Sequence, residues 1–268
     1  MAIGLIIVGD EILSGKREDK HMSKVIALLK ARGMQLDWVA YIGDNRERIT
    51  STLKRSFASG DIVFSTGGIG ATPDDHTRQC AAAALGLPIA LHPEAKLLIQ
   101  ERIIDIAKEK GEVADLSTPD HQHRLKMGEF PQGADIIPNP FNKIAGFSIQ
   151  NHFFVPGFPV MAWPMLEWVL DTHFSHLFHQ NAQFEKSVLV YEIAESILTP
   201  LMEELEATYA GIKVFSLPSV GSATERRHIE LGVKGGQQEV AIAYEKMLEG
   251  LQKLTTDYIP TPQKHAED

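Results

Sequence analysis

The sequence has 268 residues, of which 44% are hydrophobic and 23% charged, a balance that fits one large globular domain or two smaller ones and excludes disordered, collagen-like and fibrous chains. Lys and Arg total 26 against 35 Asp and Glu, and the formal charge of −9 repels a phosphate backbone, so nucleic acid is not the expected partner. The single cysteine, Cys80, rules out an internal disulfide framework and a multi-cysteine metal site, in keeping with a reducing cytoplasm as the expected location.

Residues 2–8 are apolar but carry no basic lead-in and run straight into Asp10 and Glu11, which reads as a strand and not a signal peptide. No apolar run approaches the ~20 residues needed to cross a bilayer, so no membrane partner is expected. Met22, Val25, Ile26 and Leu29 fall at helical spacing and Gly33 supplies a stop. A strand over 38–42, a helix over 49–57 and a strand over 61–65 continue a β-α-β-α-β rhythm, the signature of an α/β layered sheet with its chemistry at the carboxyl ends of the strands. Helices are predicted over 75–85 and 94–108, a polar connection over 111–120 and a short helix over 121–127. A Pro-rich stretch with Pro131, Pro138 and Pro140 leads to strands over 146–149 and 153–155, the turn Pro156-Gly157-Phe158-Pro159 and a helix over 160–178. The polar residues 179–183 read as a domain boundary. Beyond them come a strand over 187–191, a helix over 196–209, strands over 213–217 and 228–233 and a helix over 239–254, enough for an α+β domain of ~80 residues with its own core. The polar residues 261–268 are expected to fray.

The most informative stretch is Ser65-Thr66-Gly67-Gly68-Ile69-Gly70-Ala71-Thr72-Pro73-Asp74-Asp75-His76-Thr77, between a predicted strand and a predicted helix. Gly67, Gly68 and Gly70 lack a Cβ, so the backbone can take positive φ and turn amides toward an anion. Thr72 suits the N-cap and Pro73 the first helical position, which puts Asp74 and Asp75 in the first turn, where the helix dipole favours negative charge. A phosphate beside two carboxylates is repelled unless a divalent cation sits between them. Two readings therefore stand open: a metal-assisted phosphate loop, and a glycine turn before a well-capped helix. No Lys follows the glycines, so this is not a Walker loop, and the spacing is not that of a dinucleotide fingerprint.

This loop closely resembles the signature of the MoaB/Mog-like molybdopterin-binding domain found at the front of the competence/damage-inducible protein A (CinA) family. Val8-Gly9-Asp10-Glu11-Ile12-Leu13-Ser14-Gly15, Gly43-Asp44-Asn45, Pro138-Asn139-Pro140 and the Pro156–Pro159 turn match in order and spacing, over residues 2–175. The resemblance implies a three-layer α/β/α domain over 1–178 whose loops converge on a pocket for the phosphate-bearing part of a pterin or nucleotide. It places Asp44 and Asp75 on acidic positions used around a metal, expected to be Mg²⁺ with Mn²⁺ or Co²⁺ as alternatives, and Asp10 or Glu11 where the attacking water is positioned. Thr66, Gly67, Gly68, Gly70, Thr72, Asp74, Gly157 and Pro159 fall on ligand-binding positions. It further implies metal-dependent hydrolysis of ADP-ribose- or FAD-type dinucleotides, with a non-catalytic molybdopterin or nucleotide binding module as the alternative, and a homo-oligomer, dimer or trimer. A third reading is an assembly protein acting through its second domain.

The sequence departs from the pattern at Ala71 in place of Pro, at Val160 and Met161 in place of Ser and Glu, and at Lys20 and His21 in place of Thr-Asn. Residues 185–260 resemble the small middle domain of CinA, with Glu192-Ile193-Ala194-Glu195-Ser196 near its start, and amidase activity is not expected. His173, His176 and His179 drift around a helix at steps of three and read as a solvated helix end. His121 and His123 read as a polar helix start, and Arg226 and Arg227 as strand-edge charges.

Overall fold

The structure, a computed structural model, describes residues 2–180, 184–222 and 224–261. The chain divides into two compact units, Met1–Lys30 with Gln35–Leu177, and Ala31–Met34 with Phe178–Asp268.

In the first unit β1 (Ile3–Val8), α1 (Asp10–Leu13), α2 (His21–Lys30), β2 (Trp38–Ile42), α3 (Arg46–Ser59), β3 (Ile62–Thr66) and α4 (Thr77–Leu85) follow one another. Then come β4 (Ile89–Leu91), α5 (Pro93–Glu109), α6 (Pro119–Arg124), β5 (Glu129–Pro131), β6 (Asp135–Ile137), β7 (Gly146–Ile149), β8 (His152–Val155) and α7 (Pro159–His173). The main sheet has the order β2-β1-β3-β8-β7-β6, parallel from β2 to β8 and antiparallel through β7 and β6. Alternate residues of each strand feed opposite layers. Ile6, Val8, Val63 and Phe154 pack with Ile49 and Leu53 of α3, Cys80 and Ala81 of α4 and Ala95 of α5. On the other face Phe153 meets His173 and Phe174 at the end of α7. The result is the three-layer α/β/α arrangement. Phe147 stacks between Phe130 (4.8 Å) and Phe154 (4.4 Å), an aromatic column worth ~0.5–1.5 kcal/mol per pair beyond its buried area.

Local chemistry sets the element ends. Asn45 caps α3 by accepting from the Arg48 amide at 3.0 Å, and Gly60 closes that helix in the left-handed region at φ 74°. Several expectations are corrected. The fourth helix starts at Thr77 and not Asp75, because 71–76 form their own turn. The helix after the Pro-Gly turn stops at His173, and Ser175–Leu177 continue as a 3₁₀ turn. The short strands β4, β5 and β6 and the short helix α1 had no counterpart in the periodicity.

The second unit has β9 (Phe184–Tyr191), α8 (Glu195–Thr208), β10 (Lys213–Ser219), β11 (His228–Gly235), α9 (Gln237–Gln252) and β12 (Tyr258–Pro260). Its sheet is antiparallel in the order β10-β11-β9-β12, with α8 and α9 packed on it through Leu198, Leu205, Val240 and Met247 against Val188, Val190 and Leu231. The added strand β12 completes the β-α-β-β-α pattern. Of the boundary stretch 179–183, residues 181–183 lie outside the described residues, as do 262–268 of the tail. Among the described residues no helix is long and apolar enough to cross a membrane.

Candidate active site

The carboxyl ends of β1, β2 and β3 each deliver a loop. After β1, the Asp10 amide donates to Asp44 Oδ2 (2.9 Å), and after β2 the Asp44 amide returns a bond to Asp10 Oδ1 (3.2 Å). This reciprocal pair fixes the two acidic loops against each other. Burial pushes the Asp44 carboxyl above its ordinary pKa; the Asp10 amide opposes that, and the negative charges of Asp10, Glu11 and Asp74 add to it. Four carboxylates thus share one electrostatic neighbourhood: Asp10, Glu11, Asp44 and Asp74.

Asp75 is placed differently. Its Oδ2 accepts from both the Thr72 amide (2.8 Å) and the Thr72 hydroxyl (2.5 Å), and the Asp75 amide donates to the Thr72 carbonyl (3.0 Å). Thr72 is therefore not the N-cap of α4 and Asp74 and Asp75 are not in its first turn. The pair closes a separate turn two residues ahead of the helix.

The glycine loop also differs from the expected cradle at one position. The Gly67 amide donates to the Val155 carbonyl (3.1 Å), so it extends the ladder between β3 and β8 and is not free for an anion. Gly67 and Gly68 have φ of 95° and 69°, and a Cβ on them would collide with the Val8 carbonyl oxygen and the Thr77 hydroxyl, respectively. Only glycine meets both demands. The Gly67 carbonyl accepts from Thr77 Oγ1 (3.1 Å) and the Gly68 carbonyl from the Thr77 amide (2.9 Å). The first amide of α4 and the hydroxyl beside it are therefore spent on the loop's own carbonyls. The amides of Gly68, Ile69, Gly70 and Ala71 have no acceptor among the described residues.

Thr66, at the end of β3, is 1% exposed, and its hydroxyl, like that of Ser65, has no hydrogen-bond partner among the described residues. A buried unpaired hydroxyl costs ~1–3 kcal/mol and calls for a ligand or water. Gly157 packs against Gly67, Pro159 opens α7 at its first position, and the Gly157 carbonyl accepts from His21 Nε2 (3.0 Å). Since a carbonyl can only accept, His21 carries its proton on Nε2, which leaves buried Nδ1 unpaired. Asn139 is spent on its own loop, bonding Phe141, Asn142 and Ile144. Met161 Sδ faces the Asn142 amide (3.3 Å).

Two residues escaped the sequence reading. Arg78 is 2% exposed, with Nη2 on the Gly70 carbonyl (2.5 Å), Nη1 on the Lys126 carbonyl, and Nε unpaired. Its only signal was a charged residue one turn ahead of the alanine run of α4. His21 was noticed only as a departure from a motif. In the second unit, Arg226 is held by Asp257 (2.6 Å) and lies over the Tyr191 ring (4.6 Å). Arg227, His228, Ser219 and Glu195 border an open depression that contains none of the loop residues above. Among the described residues no three His, Cys, Asp or Glu side chains are gathered as a preformed metal set.

Comparison with known proteins gives this geometry a setting. Residues 4–176 match the family described as "Probable molybdopterin binding domain". A "CinA-like protein" of Citrifermentans bemidjiense is 31% identical over 207 residues, covering 76% of this chain and 47% of that protein. A protein of Caldivirga maquilingensis is 26% identical over 88% of this chain and 89% of its own length. The chain spans about half the length of most of the curated relatives it matches. Among solved structures, "the protein CinA with unknown function from Thermoplasma acidophilum" aligns over 64% of this chain and 98% of its own, at 23% identity and a TM-score of 0.54, a likeness of fold.

Proposed function

The chain belongs to the molybdopterin-binding domain family, in its CinA-like group, and on that premise we propose that the first unit is a divalent-metal-dependent nucleotide pyrophosphatase acting on ADP-ribose- or FAD-type compounds. The observation that carries the proposal is the juxtaposition of unpaired amides at Gly68–Ala71 with the acidic neighbourhood of Asp10, Glu11, Asp44 and Asp74. Amides attract a pyrophosphate and carboxylates repel it, so both serve one ligand only with a cation between them. Carboxylate oxygens are the donors a hard cation takes. All the donors are carboxylate oxygens, and Mg²⁺ binds through one or two carboxylates together with substrate phosphate oxygens and water.

Asp44 and Asp74 would hold the cation. When bound it supplies neutralisation of charge on the leaving phosphate. The chain's own residues do the rest. Loop amides hold one phosphate's oxygens, the unpaired Thr66 hydroxyl donates to the same group, and Asp10 or Glu11 orients water for in-line attack. Whichever of Asp10 and Glu11 orients the water can also take the proton that it releases.

Replacing Asp44 with Asn should lower ADP-ribose hydrolysis about 100-fold, measured by release of AMP with Mg²⁺ present. If ADP-ribose and FAD both survive Mg²⁺, Mn²⁺ and Co²⁺, the pyrophosphatase reading fails. A non-catalytic molybdopterin or nucleotide carrier then takes its place. Exposed Val160 and the Asn142-bound Met161, where related sequences offer polar side chains, favour that second reading. It requires a ligand-dependent rise in melting temperature without turnover. We also propose a dimer or trimer, and light scattering at the mass of one chain would refute it.

A further inference from the structure

The loop amides do not face outward by accident of a flexible glycine segment. In a trans peptide the C=O of one residue and the N–H of the next point in opposite directions. The carbonyls of Gly67, Gly68 and Gly70 are drawn inward by Thr77 Oγ1, the Thr77 amide and Arg78 Nη2. The next amide in each case, on Gly68, Ile69 and Ala71, is thereby turned away from α4. None of them has an acceptor among the described residues.

We propose that Thr77 and Arg78 form a positioning latch that holds the Gly68, Ile69 and Ala71 amides aimed at the oxygens of a bound pyrophosphate group. The inference rests on the phosphate-binding role proposed above for this loop and adds the residues that preorganise it. Thr77 is fully buried and Arg78 nearly so, which makes the inward pull rigid. Arg78 also adds a buried cation behind the loop. Its guanidinium is met by carbonyl oxygens, with no carboxylate in a salt bridge among the described residues, although the charges of Asp75 and Glu129 act on it from nearby. An arginine keeps its proton even where burial opposes it, so this positive charge persists at the closed side of the loop. Nε, buried and unpaired, leaves the fork incompletely neutralised. A fourth loop carbonyl, that of Ala71, accepts from His123 Nε2 (3.2 Å) and steadies the far end of the segment.

The test begins with the wild-type chain. Inorganic pyrophosphate with Mg²⁺, titrated into ¹⁵N-labelled protein, should move the amide resonances of Gly68, Ile69 and Ala71 most and leave that of Gly67, already bonded to Val155, nearly still. A different set of shifted loop amides overturns the latch while leaving the pyrophosphatase reading intact. No binding at all overturns both. Two variants then separate positioning from mere stability. Thr77→Val, close in size but without the hydroxyl, should weaken pyrophosphate about 5- to 10-fold and flatten the Gly68 shift, with Thr77→Ser restoring both. Arg78→Gln should weaken it about 10- to 100-fold and Arg78→Lys by less, since lysine keeps the charge but not the fork. Folded Thr77→Val protein with wild-type affinity and wild-type shifts overturns the proposal.

Discussion

The two units treat buried polar atoms in opposite ways. In the second, buried Ser187 donates to Glu230 Oε1 (2.6 Å) and pairs with Thr261 Oγ1 (2.7 Å), and no described residue there has a buried side-chain polar atom without a partner. In the first, Ser65, Thr66, Arg78, Gln79, His21, His92, His152 and Trp163 each leave one unpaired. Such atoms are costly, and native proteins keep few of them. Several lie at or behind the carboxyl end of β3, where the glycine loop begins. A sheet built only to be stable would be satisfied throughout, as the second unit is. At the end of β3 a ligand could relieve part of the first unit's deficit, at Ser65 and Thr66.

The largest expected effect breaks the loop itself. Gly67→Ala puts a methyl group against the Val8 carbonyl at a residue with φ 95°, and neither the backbone oxygen nor the dihedral can give way cheaply. Strain and overpacking together should cost about 4 kcal/mol in urea unfolding. A loss under about 1 kcal/mol would mean that the close approach of β1 and the loop is not real. Leu231→Ala is the counterpart in the second unit. It empties a fully buried position at the centre of that core and should cost about 3 kcal/mol while leaving pyrophosphate affinity unchanged. If affinity falls with it, the separation of a satisfied scaffold from a binding unit is wrong.

His152 sharpens the comparison through pH. It is 1% exposed, its Nε2 donates to Ser56 Oγ (2.8 Å), and Nδ1 is unpaired. Burial depresses its pKa to about 4, against a partial opposing pull from Asp61. The folded chain thus holds this imidazole neutral while the unfolded chain protonates it near 6.5. Between those values the unfolded state binds more protons, so stability falls as pH drops from 6.5 to 4 and this contribution is flat below. The loss is on the order of 3 kcal/mol in all. His152→Gln should flatten that portion of the stability curve relative to wild type, and an unchanged slope would place the acid sensitivity elsewhere.

How much of this was legible in the sequence varies by element. β1, β3 and the β7–β8 hairpin read clearly because largely apolar runs of strand length are bounded by Gly, Asp or Gln-Asn turns. β4 and β5 did not, since three residues pairing across a gap that spans α5 and α6 leave no local period. The glycine loop was legible as a motif, but its carbonyls were not. Thr72-Pro73 looks like a helix start, and the competing turn wins because one carboxylate, that of Asp75, takes both the amide and the hydroxyl of Thr72. Arg78 was hidden for a related reason. What it does depends on which carbonyl it meets, and that is a property of the folded loop.

The smallest expected effect concerns Asp75 and decides between two roles for it. As a direct ligand of the cation, its replacement by Asn should abolish hydrolysis about as fully as Asp44→Asn. As a loop tie, Asn can still accept from Thr72 through its amide oxygen, losing only the charge-assisted part of two bonds. The loop would then be looser before ligand binds, and the penalty should appear in affinity, about 3- to 10-fold, with the metal requirement and the maximal rate little changed. The geometry favours the tie, because Asp75 Oδ2 already serves two donors and the charges acting on Asp44 are those of Asp10, Glu11 and Asp74. A Mg²⁺ titration of hydrolysis by Asp75→Asn protein separates the two: a rightward shift of more than about tenfold in the Mg²⁺ dependence would return Asp75 to the cation, and with it the simpler reading in which adjacent aspartates act alike.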